Sequence, residues 1–238
     1  MIYAGDRSHA LFSLRFIERL HMMSLPLISF RRVAFALTLA PLAMFYAASP
    51  CTAGKYNPVR NLGDQIAAWP PLPGIDGQSH GLDEWKSKEL VVVVFTCNSC
   101  PYATDYETRI NDLAKRYAGP DSKVAVIALN VNKVPEDSLA EMQARAKKQG
   151  FVFPYLFDES QQTARDFGAT FTPEFYILDR DRKIAYMGAF DDETDPAKVK
   201  ARYVEDAIVS LLKGEKPAVA ETIARGCLVR YARQRTKK

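Results

Sequence analysis

Metal-ligand residues are scarce: of 238 residues only three are His and four are Cys. One C-x-x-C occurs, at Cys97 and Cys100, with no second pair to match it. His80 is the only His beyond residue 54. Structural zinc needs four ligands, commonly two such pairs or one pair and two His, so this chemistry is disfavoured. No metal ligand set and no cofactor-binding motif stands out. A long apolar run is also missing, because the longest, at 33–48, is about sixteen residues and contains Pro41, short of the ~20 of a spanning helix. No repeat or low-complexity tract appears. With 47% hydrophobic and 25% charged residues, disordered and collagen-like classes are excluded and a soluble globular chain is implied.

Charge is unevenly placed. Residues 1–54 carry +3 and 225–238 carry +6, which leaves −5 for the middle of a chain whose total is +4. A basic tail on an acidic body does not make a nucleic-acid groove, which needs cations on folded elements beside stacking aromatics. The tail reads as solvated. Arg31 and Arg32 precede the apolar run, and small residues follow in A-A-S-P-C-T-A-G, the shape of a signal peptide. Translation is expected to start near Met23, with cleavage near Ala53. Lipidation at Cys51 fits poorly because Pro50 precedes it, and a retained membrane anchor is the competing reading. The expected organisation is a leader at 1–54, one domain at 55–224 and a basic tail at 225–238. Export to a periplasmic or other extracytoplasmic space follows, with the chain released or tethered through its N-terminal segment.

In the body, W-P-P-L-P-G-I-D-G is turn-rich, with I-D-G as a tight hairpin. E-L-V-V-V-V-F-T (89–96) reads as a strand buried on both faces. Tyr102, Tyr106, Ile110, Leu113, Ala114 and Tyr117 recur at helical spacing, which predicts a helix over 101–118. A strand at 123–131 and a helix at 135–150 follow, then a short strand at 153–158. A brief helix at 160–168 is capped by Ser160. A hairpin from 174–179 to 184–190 precedes a closing helix at 197–213 that carries Val199, Tyr203, Ala207, Ile208, Leu211 and Leu212. This order predicts an α/β fold, a twisted, mostly parallel sheet with helices on both faces and ligands beyond the carboxyl ends of its strands.

Cys97 and Cys100 stand where the first strand stops and the first helix starts. Backbone N–H groups and the positive end of the helix dipole would therefore favour a thiolate at Cys97. Pro101 suits the first helical position. A purely structural disulfide would close so short a loop that it adds little stability, and redox chemistry is the preferred reading.

Three stretches, F-T-C-N-S-C-P-Y-A (95–103), F-G-A-T-F-T-P-E-F-Y-I-L-D (167–179) and G-C-L-V-R-Y (226–231), resemble the thioredoxin-like superfamily. Within it they resemble redoxins and peroxiredoxin-like, AhpC/TSA-related proteins that carry C-x-x-C. The resemblance implies a thioredoxin-like fold, a central mixed sheet flanked by helices, with N- and C-terminal extensions. It also implies that Thr172-Pro173 is a cis-proline loop facing the cysteines, turned outward to pair with an extended substrate peptide. Cys97 would attack a substrate disulfide and Cys100 would resolve the mixed disulfide. The partners would be disulfide- or dithiol-containing proteins and a thiol electron donor. With no His between the cysteines, a reductant or general exchange role is favoured.

The sequence departs from the familiar pattern where Thr96 replaces a Trp and valines replace a strand acid. Glu174 is the candidate substitute proton acceptor, against the reading of a solvent-facing Glu at a strand start. Phe171 stands where such relatives carry a further cysteine. Cys227 reads first as a buried thiol and second as an auxiliary redox thiol. A thiol peroxidase or antioxidant redoxin is the rival enzyme, although P-x-x-x-T-x-x-C is absent because Val93 and Cys97 occupy its Pro and Thr places. A copper-handling module would need C-x-x-x-C-P and a distant His. A redox-silent binding module is the remaining alternative.

Overall fold

The structure is a computed structural model that describes residues 54–233. The leader reading, with its start, cleavage and lipidation sites, and the last five residues lie outside the described residues. No helix among the described residues is long and apolar enough to cross a membrane.

Nine strands and four α-helices occur among the described residues. In chain order they are β1 (Leu72–Pro73), β2 (Ser79–His80), β3 (Leu90–Phe95), α1 (Pro101–Arg116), β4 (Val124–Asn130), α2 (Leu139–Gln149) and β5 (Tyr155–Phe157). Then come α3 (Gln162–Phe167), β6 (Phe171–Thr172), β7 (Glu174–Leu178), β8 (Ile184–Gly188), α4 (Tyr203–Leu212) and β9 (Cys227–Leu228). The central sheet has the order β5-β4-β3-β7-β8, parallel on the β5-β4-β3 side and antiparallel across β7 and β8. It is the mixed sheet that the resemblance implies. β1 and β2 form the small hairpin expected around I-D-G, with Gly77 at φ 81°.

All six β3 residues are buried because alternate side chains enter different cores. Leu90, Val92 and Val94 meet Tyr106, Ile110 and Leu113 of α1, Met142 of α2 and Val204 and Ile208 of α4. Val91, Val93 and Phe95 meet Phe167 of α3 and Ile66, Trp69, Leu72 and Leu82. Three of the four helices therefore pack in one core. The turn-rich segment before β3, rather than further helices, supplies much of the other. Each such valine buried from water contributes roughly 1.5–3 kcal/mol.

Several boundaries differ from the sequence reading. Tyr102 is 47% exposed and lies off the apolar stripe of α1. Residues Pro135–Asp137 form a separate 3-10 turn, and α2 starts after Ser138, whose side chain caps it. Gln161, not Ser160, holds the cap position of α3. Val199 precedes the closing helix, which begins at Tyr203. The segment expected to be a solvated tail begins as structure. β9 pairs antiparallel with β6, Val229 is 7% exposed, and Gln161 bonds the backbone of Arg230 and Ala232.

Candidate active site

β3 delivers Thr96 and Cys97 at its carboxyl end, and the chain turns through Asn98 and Ser99 into α1. Cys100 is the N-cap, in extended conformation, and Pro101 opens the helix where a missing N–H costs nothing. Both cysteines are buried, at 2% and 1% exposure. Cys97 Sγ lies 3.4 Å from Thr172 Oγ1 and 3.7 Å from Ser99 Oγ. The Cys100 thiol, when protonated, donates to the Thr172 carbonyl at 3.1 Å. The Thr172-Pro173 bond is cis, as the resemblance implies. Cys97, Cys100 and Ala103 form one cluster, with Cys227 packed against it.

The two sulfurs shift in opposite directions. A hydrogen bond from Cys97, helped by Cys227 and the Ala103 N–H, outweighs burial and brings Cys100 down to about 4. Cys97 moves upward, because it donates to Cys100, is itself buried, and faces the charge of Asp137. The electrostatics thus favour the thiolate at Cys100, whereas the helix dipole was expected to favour it at Cys97. The helix begins four residues after Cys97, at Pro101, and the N–H groups meant for its thiolate have another acceptor.

That acceptor is Asp137, which is fully buried in the 3-10 turn after β4. Its Oδ1 accepts from Asn98 N at 2.7 Å and Ser99 N at 3.0 Å, and its Oδ2 accepts from Ser99 Oγ at 2.6 Å. Asn98 Nδ2 adds a bond to the Glu136 carbonyl. The loop between the cysteines is thus stapled to residues 136–137. Sequence reasoning missed Asp137, since an acid after Pro135 reads as an ordinary first-turn residue of a helix. Beyond the staple lies an open cleft of about 520 Å³. Asn98 and Ser99 line it together with Glu136, Glu141, Arg145 and Lys148.

Two candidates differ from expectation. Glu174 is buried at 6% exposure rather than solvent-facing. Its carboxylate accepts from Thr170 N, Phe171 N and Tyr176 Oη and bonds no cysteine. It holds the loop before Pro173 in place, and its pKa is raised because burial outweighs those three donors. The backbone of Thr172, expected to await a substrate peptide, is already paired with Cys227 in β9. Cys227 is half-buried. Burial, with the neighbouring Cys100 adding, pushes its thiol up to about 11.

The model of the AhpC/TSA family matches residues 64–187, just over half of the chain. No curated protein matches by sequence. Among solved structures, the chain is similar to a hypothetical protein from Sinorhizobium meliloti 1021, at 32% identity and TM-score 0.68, covering 74% of this chain and 97% of that one. It is equally similar to an uncharacterized conserved protein from Geobacillus kaustophilus, at 31% identity and TM-score 0.69, covering 75% and 96%. A putative thioredoxin from Neisseria meningitidis, at 19% identity and TM-score 0.50, covers 63% and 92% and speaks for the fold alone.

Proposed function

Because the chain belongs to the AhpC/TSA family and has the thioredoxin-like fold, we propose that it is an exported thiol-disulfide oxidoreductase. It exchanges a Cys97-Cys100 disulfide with protein or small-thiol substrates. The observation that carries the reading is the meeting of both sulfurs at Thr172, beside the cis bond to Pro173. Export rests on the leader sequence, with release or tethering as its two forms.

Cys97 attacks the substrate, because the residues beside it line the open cleft while Cys100 is enclosed by Ala103, Cys227 and the Thr172 carbonyl. The substrate disulfide breaks, one half leaves as thiolate, and a mixed disulfide forms on Cys97. Cys100, held near its thiolate form, then attacks Cys97 and releases the second half as thiol. A thiol electron donor reverses the oxidation. Cys227, against Cys100, is the auxiliary thiol of the site. Peroxide reduction is the second reading, favoured by the thiolate at Cys100, since the thiolate is the reactive form of a cysteine.

The test is the reduction potential of the wild-type pair beside Cys97→Ser and Cys100→Ser, with trapping of mixed disulfides in the latter. Reversible two-electron cycling in the wild type and adducts on Cys97 are expected. A pair that cannot cycle between dithiol and disulfide overturns the proposal.

A further inference from the structure

Ser99 has one hydroxyl proton, and the 2.6 Å contact with Asp137 Oδ2 takes it. With that proton committed, Ser99 Oγ can only accept on its other side, where Cys97 Sγ lies 3.7 Å away. A path therefore runs from Cys97 Sγ through Ser99 Oγ to a carboxylate with no exposed surface, and it opens when the single Cys97 proton turns from Cys100 to Ser99. Thr172 Oγ1 is also near Cys97, at 3.4 Å, but the acceptor on its far side is the Cys227 carbonyl at 3.5 Å, which cannot keep a proton.

We infer that Ser99 and Asp137 form the proton exit of Cys97: as its sulfur bonds to a substrate sulfur, its proton passes to Ser99 Oγ while the Ser99 proton passes to Asp137 Oδ2. The inference rests on the exchange reading above. In the step the substrate S–S bond breaks and the Cys97–S bond forms. The leaving sulfur keeps the electron pair, and one proton ends on Asp137, to be passed to the departing thiolate or to water. Moving the proton in step with bond formation keeps negative charge from building up on Cys97 beside the Asp137 carboxylate in a buried site. The competing acceptor is Cys100. If Cys100 took the proton it would have to lose it again before resolving the mixed disulfide, whereas the Ser99 route leaves Cys100 ionised. Besides Cys97, the groups facing Asp137 are Tyr155 from β5 and Arg145 from α2, the latter paired with Glu107 of α1.

The test uses the full chain with Cys100→Ser, so that the competing acceptor is gone, and oxidised glutathione as the probe. Adduct formation at Cys97 is followed by peptide mass as a function of pH. With the relay the rate stays level as pH falls below the Cys97 titration, because the carboxylate rather than hydroxide takes the proton. Added Ser99→Ala or Asp137→Asn should remove that plateau and lower the neutral-pH rate about 10²-fold, and Ser99→Thr should restore it. Ser99→Ala leaves the backbone bond from residue 99 to Asp137 intact, so the loop staple persists. An unchanged profile in Ser99→Ala overturns the relay alone. So does a faster Asp137→Asn, the result expected of a carboxylate that only repels the thiolate. A Cys97 that takes up no glutathione at any pH overturns both the relay and the exchange reading.

Discussion

Gly226 lies so close to the Thr172 carbonyl that a Cβ at 226 would stand 2.0 Å from that oxygen. This approach lets β9 pair with β6 and brings Cys227 to the cysteine pair. Gly226→Ala must displace either β9 or the Thr172 loop. The expected cost is about 1–3 kcal/mol, read as a lowered Tm, together with faster alkylation of Cys227. Wild-type values for both would show that β9 does not depend on the bare backbone at 226.

Cys97 is the largest cause of the lowered pKa of Cys100, and this has a consequence for stability. An acid whose pKa is depressed by folding favours the fold while ionised. For the reduced protein that contribution is complete above the ordinary thiol value of 9.0 and is withdrawn as pH falls towards about 4. Cys97, whose pKa is raised, is neutral in both folded and unfolded chains below 9.0 and adds no slope there. Cys97→Ala should lift the Cys100 titration and flatten this decline, measured by thiolate absorbance and Tm against pH. An unmoved Cys100 titration in that variant would show that Cys97 is not what lowers it.

Glu174 gives a slope of the opposite sign. Burial raises its pKa above the ordinary 4.5 despite the bonds from Tyr176, Phe171 and Thr170. Its contribution is fully present below that ordinary value and is lost as pH rises through the raised one. Glu174→Gln cannot ionise, yet its amide oxygen can still accept the two backbone N–H groups. The variant should lose the slope that begins above the ordinary Glu value of 4.5 while keeping the fold. A Tm-pH curve that parallels wild type there would show that Glu174 is not the titrating group.

What was legible in the sequence was local. The valine run announces β3, because a strand buried on both faces needs no polar alternation. Pro101 announces the helix start, and the spacing of Cys97 and Cys100 announces a site between them. What was not legible depended on partners far along the chain. Asp137 lies 38 residues from Ser99, and nothing near it in sequence signals that its carboxylate will fold under the cysteine loop. Glu174 reads as exposed only if one face of its strand meets water, whereas all five β7 residues are buried. Likewise the free edge expected at Thr172 is filled by a strand more than fifty residues later, which no local pattern in 226–231 foretells.

Oxidation of the pair should change Cys227 without any change in its own sequence surroundings. Its thiol stands at about 11 through burial first, and then through the hydrogen bond and charge of Cys100. A Cys97-Cys100 disulfide removes the charge and the proton exchange at Cys100, leaving burial as the raising cause. The Cys227 pKa should therefore fall on oxidation, and its thiolate fraction at neutral pH should rise. Alkylation of Cys227, followed by peptide mass, is expected to be faster in the oxidised protein than in the reduced one. Slower alkylation after oxidation would mean that the disulfide closes β9 over its own neighbour, and that shielding rather than the charge of Cys100 sets the reactivity of Cys227.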